Sequence, residues 1–184
     1  MDIQIDSREK LRAIQRILKT FEKEHVNNFV SKLMVGDYMS LDNPRLVIDR
    51  KQNLSEVCNN VCQQHERFRR ELQLAQQAGI QLILLIEHGG NIKSLEDVYF
   101  WKNPRQWKFE KDVREKYGFH WNVPFEQVKE DLKRHRVRIY PPTSGKALYK
   151  SLCTLRDRYQ VGIDFCSKAQ TGKRIIEILR REDA

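Results

Sequence analysis

No stretch of this 184-residue chain is apolar for long enough to cross a bilayer. The longest such run, Leu82–Ile86, falls far short of the roughly 18 residues required. The N-terminus, Met1-Asp2-Ile3-Gln4, lacks the basic-then-apolar form of a signal peptide, so the expected compartment is the cytoplasm. Cysteine is scarce: the residues at 58, 62, 153 and 166 do not make a secreted disulfide framework. Cys58, Cys62 and His65 have part of a zinc spacing, but no second ligand pair follows. Buried or half-buried thiols are the preferred reading, with a metal site as the alternative. Neither an internal repeat nor a low-complexity tract is present. Acid is the minority charge: 25 Asp and Glu face 34 Lys and Arg, giving a net charge of +9 and a pI near 9.5. Such an excess points to a polyanionic partner, nucleic acid being the commonest.

A hydrophobic content of 40% in patterned blocks argues against disorder, and the length suits a single domain with a sizeable core. Ile3-Gln4-Ile5 alternates as a short strand leading into Asp6-Ser7-Arg8-Glu9. Apolar residues at 11, 14, 17, 18 and 21 then form a helical stripe. Val30 to Leu41 reads as one strand, bent at Gly36. After the turn signal Asp42-Asn43-Pro44, Arg45 to Lys51 reads as a second strand. Leu54 to Ala78 is mostly helical with Gly79 as C-cap, and Ile80 to Glu87 is a strand buried on both faces. Val137–Tyr140 reads as a strand, Ser144–Tyr159 as a helix capped by Ser144, and Lys168–Arg181 as a final helix. Thr171-Gly172-Lys173 lacks the upstream glycine of a P-loop. The order predicts an α/β domain with a mixed central sheet flanked by helices, interrupted at about 91–135 by an aromatic-rich insertion.

The hairpin carries the chemistry. With its turn at Asp42-Asn43-Pro44, paired positions sum to 86, which sets Asp37 opposite Asp49 with β-carbons roughly 4.5–5.5 Å apart. Facing carboxylates repel unless a cation lies between them. Lys51, two residues beyond Asp49, projects from the same face. Two carboxylates and a lysine on one patch suit a hard ion such as Mg²⁺ or Mn²⁺, and hydrolysis of a phosphodiester. A solvated hairpin face with an ordinary Asp–Lys pair is the alternative.

These segments also resemble a known family. Ile5-Asp6-Ser7-Arg8-Glu9, Val35-Gly36-Asp37-Tyr38 and Ile48-Asp49-Arg50-Lys51 are similar to the V-D-x-R-E, G-D-Y and E-R-K signatures of XPF-type structure-specific endonucleases. That family is a branch of the PD-(D/E)xK nuclease superfamily. The likeness continues through Glu66-Arg67-Phe68-Arg69-Arg70-Glu71, where the family often has R-F-x-x-Q, and through Leu82–Glu87 and Ile163–Leu179. The resemblance implies a restriction-endonuclease-like fold and a Mg²⁺-dependent DNA endonuclease, with Mn²⁺ as a substitute. It implies a role in DNA repair or recombination on branched, flap or forked DNA. Asp37 and Asp49 would be metal ligands, Lys51 the catalytic lysine, and Asp6 and Glu9 the completing acids. Arg50 would contact phosphate or support the site. Arg67 either faces DNA or pairs with Glu71 at i+4.

The sequence departs from the family in three respects. Asp49 replaces the glutamate of E-R-K. Ser55 followed by Glu56 stands where an aspartate is usual, four residues after the lysine. No tandem helix-hairpin-helix module follows, so junction specificity and a homodimer are not carried over. A non-catalytic DNA-binding module of the same fold is the alternative function.

Eight of the 17 aromatics lie between Tyr99 and Trp121, interleaved with Lys102, Arg105, Lys108, Lys111, Arg114 and Lys116. Trp101, Trp107, Phe109, Tyr117 and Trp121 can stack on unpaired bases while the cations track phosphates, or simply make a small core. Lys133-Arg134-His135-Arg136 with Arg138 is read as a solvated turn, with the DNA path as its alternative.

Overall fold

The computed structural model describes residues 1–63 and 65–181. A six-stranded mixed sheet in the order β2-β1-β3-β4-β5-β6 organises it. The strands are β1 (Asp2–Asp6), β2 (Asn27–Ser31), β3 (Tyr38–Ser40), β4 (Leu46–Lys51), β5 (Gln81–Glu87) and β6 (Gly162–Cys166). β1 runs parallel to β2 and antiparallel to β3, β3 is antiparallel to β4, and β4, β5 and β6 are mutually parallel.

Side-chain alternation along β4 and β5 sorts the two faces. Leu46, Ile48, Ile83 and Leu85 pack with Ile3, Ile5 and Tyr38 against Ile14, Ile17 and Phe21 of α1 (Leu11–Lys23) and Ile175 and Ile178 of α7 (Thr171–Leu179). Val47, Leu82, Leu84 and Ile86 meet the other layer. There Leu54 of α2 (Leu54–Cys58), Phe68 and Leu72 of α3 (His65–Gln77), and Leu148 and Leu152 of α6 (Gly145–Tyr159) close the core. The result is helix, sheet, helix: the α/β architecture expected from the sequence.

The expected helix after the hairpin is broken in one place. α2 ends at Cys58 and a π-helical turn occupies Asn59–Gln63 before α3 resumes. Asn53 caps α2 by accepting from the Glu56 amide (2.9 Å), and Gly79 ends the segment at φ +66. Ser144 caps α6 as expected, accepting from the Ala147 amide at 3.2 Å.

Three element assignments are corrected. Val30–Leu41 is not one strand. β2 lies on the far side of β1, and the chain passes through Leu33–Asp37 before pairing again as β3, so β1 separates the two pieces. Val137–Tyr140 forms no strand; Val137 and Ile139 pack instead beside the small core of the 105–134 helices. β6 is a strand that alternation did not reveal, because Gly162-Ile163-Asp164-Phe165-Cys166 sits at the sheet edge and is mostly half-buried.

Between β5 and α6 lie a short 3₁₀ turn (Glu96–Phe100), α4 (Arg105–Tyr117) and α5 (Phe125–Arg134). Val113, Val128 and Leu132 form their core, with Phe109, Tyr117 and Phe125 packed against it. The core-forming reading of these aromatics therefore holds for Phe109 and Tyr117, while Trp107 and Trp121 stay exposed. Cys58 and Cys166 are buried and Cys153 half-buried, as thiols. Cys62 is exposed, against expectation, and the described residues contain no group of three or more His, Cys, Asp or Glu arranged to hold a metal ion.

Candidate active site

The hairpin register is the one deduced from its turn. Tyr38 pairs with Ile48 and Met39 with Val47, so these positions sum to 86; Asp37 sits just beyond the last pair, close enough for the Asp49 charge to act on it. Gly36 makes the approach possible. It adopts φ +67, and a Cβ there would meet the Val47 Cγ1 at 2.5 Å and the Ile48 carbonyl oxygen at 2.9 Å. The Asp37 amide then donates to the Ile48 carbonyl (2.8 Å), and Asp37 Oδ2 accepts from the Arg50 amide (2.8 Å).

Asp49 and Lys51 leave β4 on the face that meets α2 and α3. They open into a cavity of about 500 Å³ lined also by Glu9, Asp37, Glu56, Asn60, Arg67 and Arg70. Lys51 Nζ lies 2.6 Å from Asp49 Oδ1 and 5.4 Å from the centroid of the Phe68 ring. Burial works against the ammonium, but Asp49 and then Asp37 outweigh it and hold the Lys51 pKa above its ordinary value. The lysine is therefore charged. Asp49 Oδ2 is buried and has no hydrogen-bond partner among the described residues. Asp37 carries the opposite perturbation: burial first, then the charges of Asp49 and Glu9, drive its pKa well above the usual carboxylate range, against the pull of Lys51.

The other proposed site residues are engaged differently. Asp6 is fully buried. Its Oδ1 accepts from the Arg8 amide (2.8 Å) and the Arg8 Nε (2.6 Å), and its Oδ2 from the Leu33 amide (2.7 Å). Burial would raise its pKa, yet the bonds from Arg8 and Leu33 together lower it. This carboxylate clamps the chain as it passes from β2 toward β3 and does not line the cavity, which corrects its assignment as a metal ligand. Glu9 borders the cavity, but its Oε2 accepts from Arg50 Nη2 (2.8 Å) and the Tyr38 hydroxyl (3.2 Å).

Arg50 is placed for the second of its two expected roles, support of the site. Its side chain is 2% exposed, on the sheet face opposite Asp49 and Lys51, and also donates through Nη1 to Glu87 Oε1 (2.9 Å). Glu87, unremarked in the sequence, accepts from the Thr171 hydroxyl as well, at 2.9 Å. Arg50 also borders the cavity, but its guanidinium is committed to Glu9 and Glu87 and so supports the site.

Arg67 lines the cavity, and among the described residues it makes no ion pair or hydrogen bond, including to Glu71. Glu71 accepts instead from the Gly36 amide (3.2 Å). Arg70 joins Arg67 at the cavity wall. Nothing in the sequence distinguished it from the neighbouring Arg69, because only the phase of α3 tells which arginine faces inward. Lys102, Arg105 and Lys108 are exposed on and just before α4, and Arg105 Nη1 reaches Asn59 Oδ1 at 3.2 Å. Trp101 is 8% exposed and belongs to the main core, which corrects its assignment as a freely presented stacking ring; Trp107 is 65% exposed.

The free donors suit a hard divalent cation. Asp49 Oδ2 is a buried oxygen without a partner among the described residues, Asp37 is a carboxylate under repulsion, and both are oxygen ligands. Asp37 and Asp49 would hold such an ion, and Glu9, Glu56 and Glu71 line the same cavity.

No curated protein matches the chain. Among solved structures it is similar to XPF from Aeropyrum pernix, with a TM-score of 0.57 at 15% identity over 98% of this chain and 64% of that one. It is also similar to XPF from Aeropyrum pernix in complex with DNA, with a TM-score of 0.54 at 14% identity, covering 97% and 63%. The chain thus spans less than two thirds of the length of those proteins, and likeness at this level of identity speaks for the fold. The profile of the ERCC4 domain matches residues 5–179, nearly the whole chain and all three signature segments. The chain belongs to the ERCC4 domain family.

Proposed function

We propose that this protein is a metal-dependent DNA endonuclease that hydrolyses phosphodiester bonds, with Mg²⁺ as the cation and Mn²⁺ as a substitute. The observation that carries this reading is the set formed by Asp37, Asp49 and Lys51. Two carboxylates close enough to repel line one cavity, one with a buried oxygen unpartnered among the described residues, beside an ammonium held charged. When bound, a divalent cation would neutralise charge building on the phosphate and make a coordinated water easier to deprotonate. Asp37 and Asp49 would hold it. Lys51, anchored by Asp49 and bedded on Phe68, is positioned to orient the attacking water or to stabilise a non-bridging oxygen. Arg67 and Arg70 on the cavity wall suit the flanking phosphates. DNA as substrate fits the +9 charge, and the similar XPF from Aeropyrum pernix is itself found in complex with DNA. Branched, flap or forked DNA is the form we favour, with repair or recombination as the setting and the DNA-bearing cytoplasm as the location. Among the described residues no helix is long and apolar enough to cross a membrane.

A non-catalytic DNA-binding module is the second reading. It is favoured by the Lys51–Asp49 ion pair, which already neutralises one of the two carboxylates.

The test is incubation of labelled forked, flap and linear DNA with wild type, Asp49→Ala and Lys51→Ala, in Mg²⁺, Mn²⁺ and EDTA. Cleavage is expected only with metal. Lys51→Ala should lower the rate by at least about 10²-fold while leaving affinity in Ca²⁺ little changed. Wild-type rates in Asp49→Ala would sink the nuclease reading. Loss of binding in step with activity in Lys51→Ala would favour the second one.

A further inference from the structure

A second cavity, of about 480 Å³, lies on the 101–110 segment, outside the carboxylate site. Its floor is Trp101, rigid because it is built into the main core. Its wall includes Trp107, whose indole is 65% exposed although it belongs to a helix with a core of its own. Between them Asn103 is buried and fixed, its Nδ2 donating to the Thr143 carbonyl (3.0 Å) and its Oδ1 accepting from the Arg105 amide (3.0 Å). Glu110 is held by Gln106 Nε2 at 2.9 Å. The rim is cationic. Lys102 lines the cavity, is exposed and has no ion pair among the described residues; Lys108, next to Trp107 in α4, is exposed and likewise has none, and Lys111, paired with Glu115, has its Nζ 5.9 Å from the Trp107 ring centroid.

An aromatic slot with unpaired lysines at its mouth fits one class of ligand: a planar heteroaromatic base carrying a phosphodiester on either side. An acyl chain or an apolar peptide would use the rings and leave the lysines uncompensated. Duplex DNA would use the lysines and leave the rings idle, because its bases are stacked inside. One hydrogen bond ties the α4 start to the turn that borders the carboxylate cavity. Arg105 bonds Asn59, and the next residue, Asn60, lines that cavity.

We propose that the Trp101–Trp107 cavity is a binding site for an unpaired nucleobase, so that single-stranded DNA leaving a duplex is held there while the duplex lies at Asp37 and Asp49. Trp107 is the stacking ring, Lys102 and Lys108 bind the flanking phosphates, and the Glu110 carboxylate is available to an exocyclic amino group at the base edge. The strand selection this implies rests on the nuclease reading; the base-binding site itself does not.

The experiment compares three fluorescein-labelled probes by anisotropy in Ca²⁺: blunt duplex, the same duplex with a ten-nucleotide overhang, and a single-stranded decamer. Wild type should prefer the overhang to the blunt duplex. Quenching of intrinsic tryptophan fluorescence should accompany binding of the decamer. Trp107→Ala should lower the overhang-to-blunt affinity ratio by about 5- to 100-fold, the range for loss of one stacked base, and abolish most of the quenching. Trp107→Phe should recover part of the ratio. Lys102→Ala with Lys108→Ala should reduce the salt slope for the decamer by about one to two contacts. An unchanged ratio in Trp107→Ala, or equal loss on both duplexes, overturns the proposal. Circular dichroism and urea unfolding of Trp107→Ala verify that the fold persists, as its exposure predicts. A protein that fails to cleave any DNA yet shows the Trp107-dependent ratio refutes the nuclease reading and leaves this site standing.

Discussion

Replacing Arg50 by methionine should destabilise the protein severely, although Arg50 is part of the signature that marks the site. The guanidinium is 2% exposed and joins Glu9 at 2.8 Å and Glu87 at 2.9 Å. Glu87 is 3% exposed and Glu9 15% exposed, so neither recovers bulk water when its partner is removed. Methionine fills much of the volume and leaves two carboxylates facing an apolar side chain. Removing one partner of a buried ion pair costs about 3–5 kcal/mol. That is on the order of a third of the 5–15 kcal/mol that holds a domain together. With a urea m-value of about 2 kcal/mol/M, the midpoint should fall by about 1.5–2.5 M. Adding Glu87→Gln should recover part of the loss, giving a non-additive double-mutant cycle. An Arg50→Met midpoint within about 0.5 M of wild type, or an additive cycle, would refute this account. Arg50 would then have to be reconsidered as a residue facing solvent and DNA.

Asp37→Asn should lower cleavage by at least about 10²-fold yet stabilise the metal-free fold at neutral pH. The folded-state pKa of Asp37 is raised, so ionising it weakens the fold increasingly as pH rises through that value. The advantage of the variant in EDTA should vanish near pH 4, where the unfolded carboxyl also protonates. Asp6→Asn should behave in the opposite sense, costing about 1–3 kcal/mol at neutral pH. The folded pKa of Asp6 is lowered, so its contribution is present above the unfolded value near 3.9 and disappears as pH falls through the folded one. Mn²⁺ affinity, followed by calorimetry, should be unchanged in Asp6→Asn; a tenfold loss would return Asp6 to the ligand set.

What the sequence disclosed and what it hid divide along one line. The hairpin register followed from a turn and a period of two, and both are local properties of the chain. Asp37, Asp49 and Lys51 line one cavity. Asp6, Arg50 and Trp101 were assigned to the surface chemistry, whereas the fold buries all three. Burial depends on which strand becomes central and which helix covers it. Asp6 serves as a clamp because β2 crosses to the far side of β1, a crossing that no local pattern in Val30–Leu41 announces. Arg70 entered the cavity for the same kind of reason, since its direction depends on the helical phase after Asn59–Gln63.

That π-helical turn makes chain length, more than residue identity, the sensitive variable in this helix. Each residue added to or removed from an α-helix turns everything beyond it by about 100°. Phe68 and Leu72 meet the core, and Arg67, Arg70 and Glu71 meet the cavity, only at the phase the turn sets. A one-residue deletion within 59–63 would keep Asp37, Asp49 and Lys51 in the sequence and every hydrogen bond of β4. It would nevertheless carry Arg67 and Arg70 away from the cavity and turn the apolar stripe of α3 off the sheet. The extra residue acts as a spacer, setting in angle the relation between the acids on the sheet and the cations on the helix.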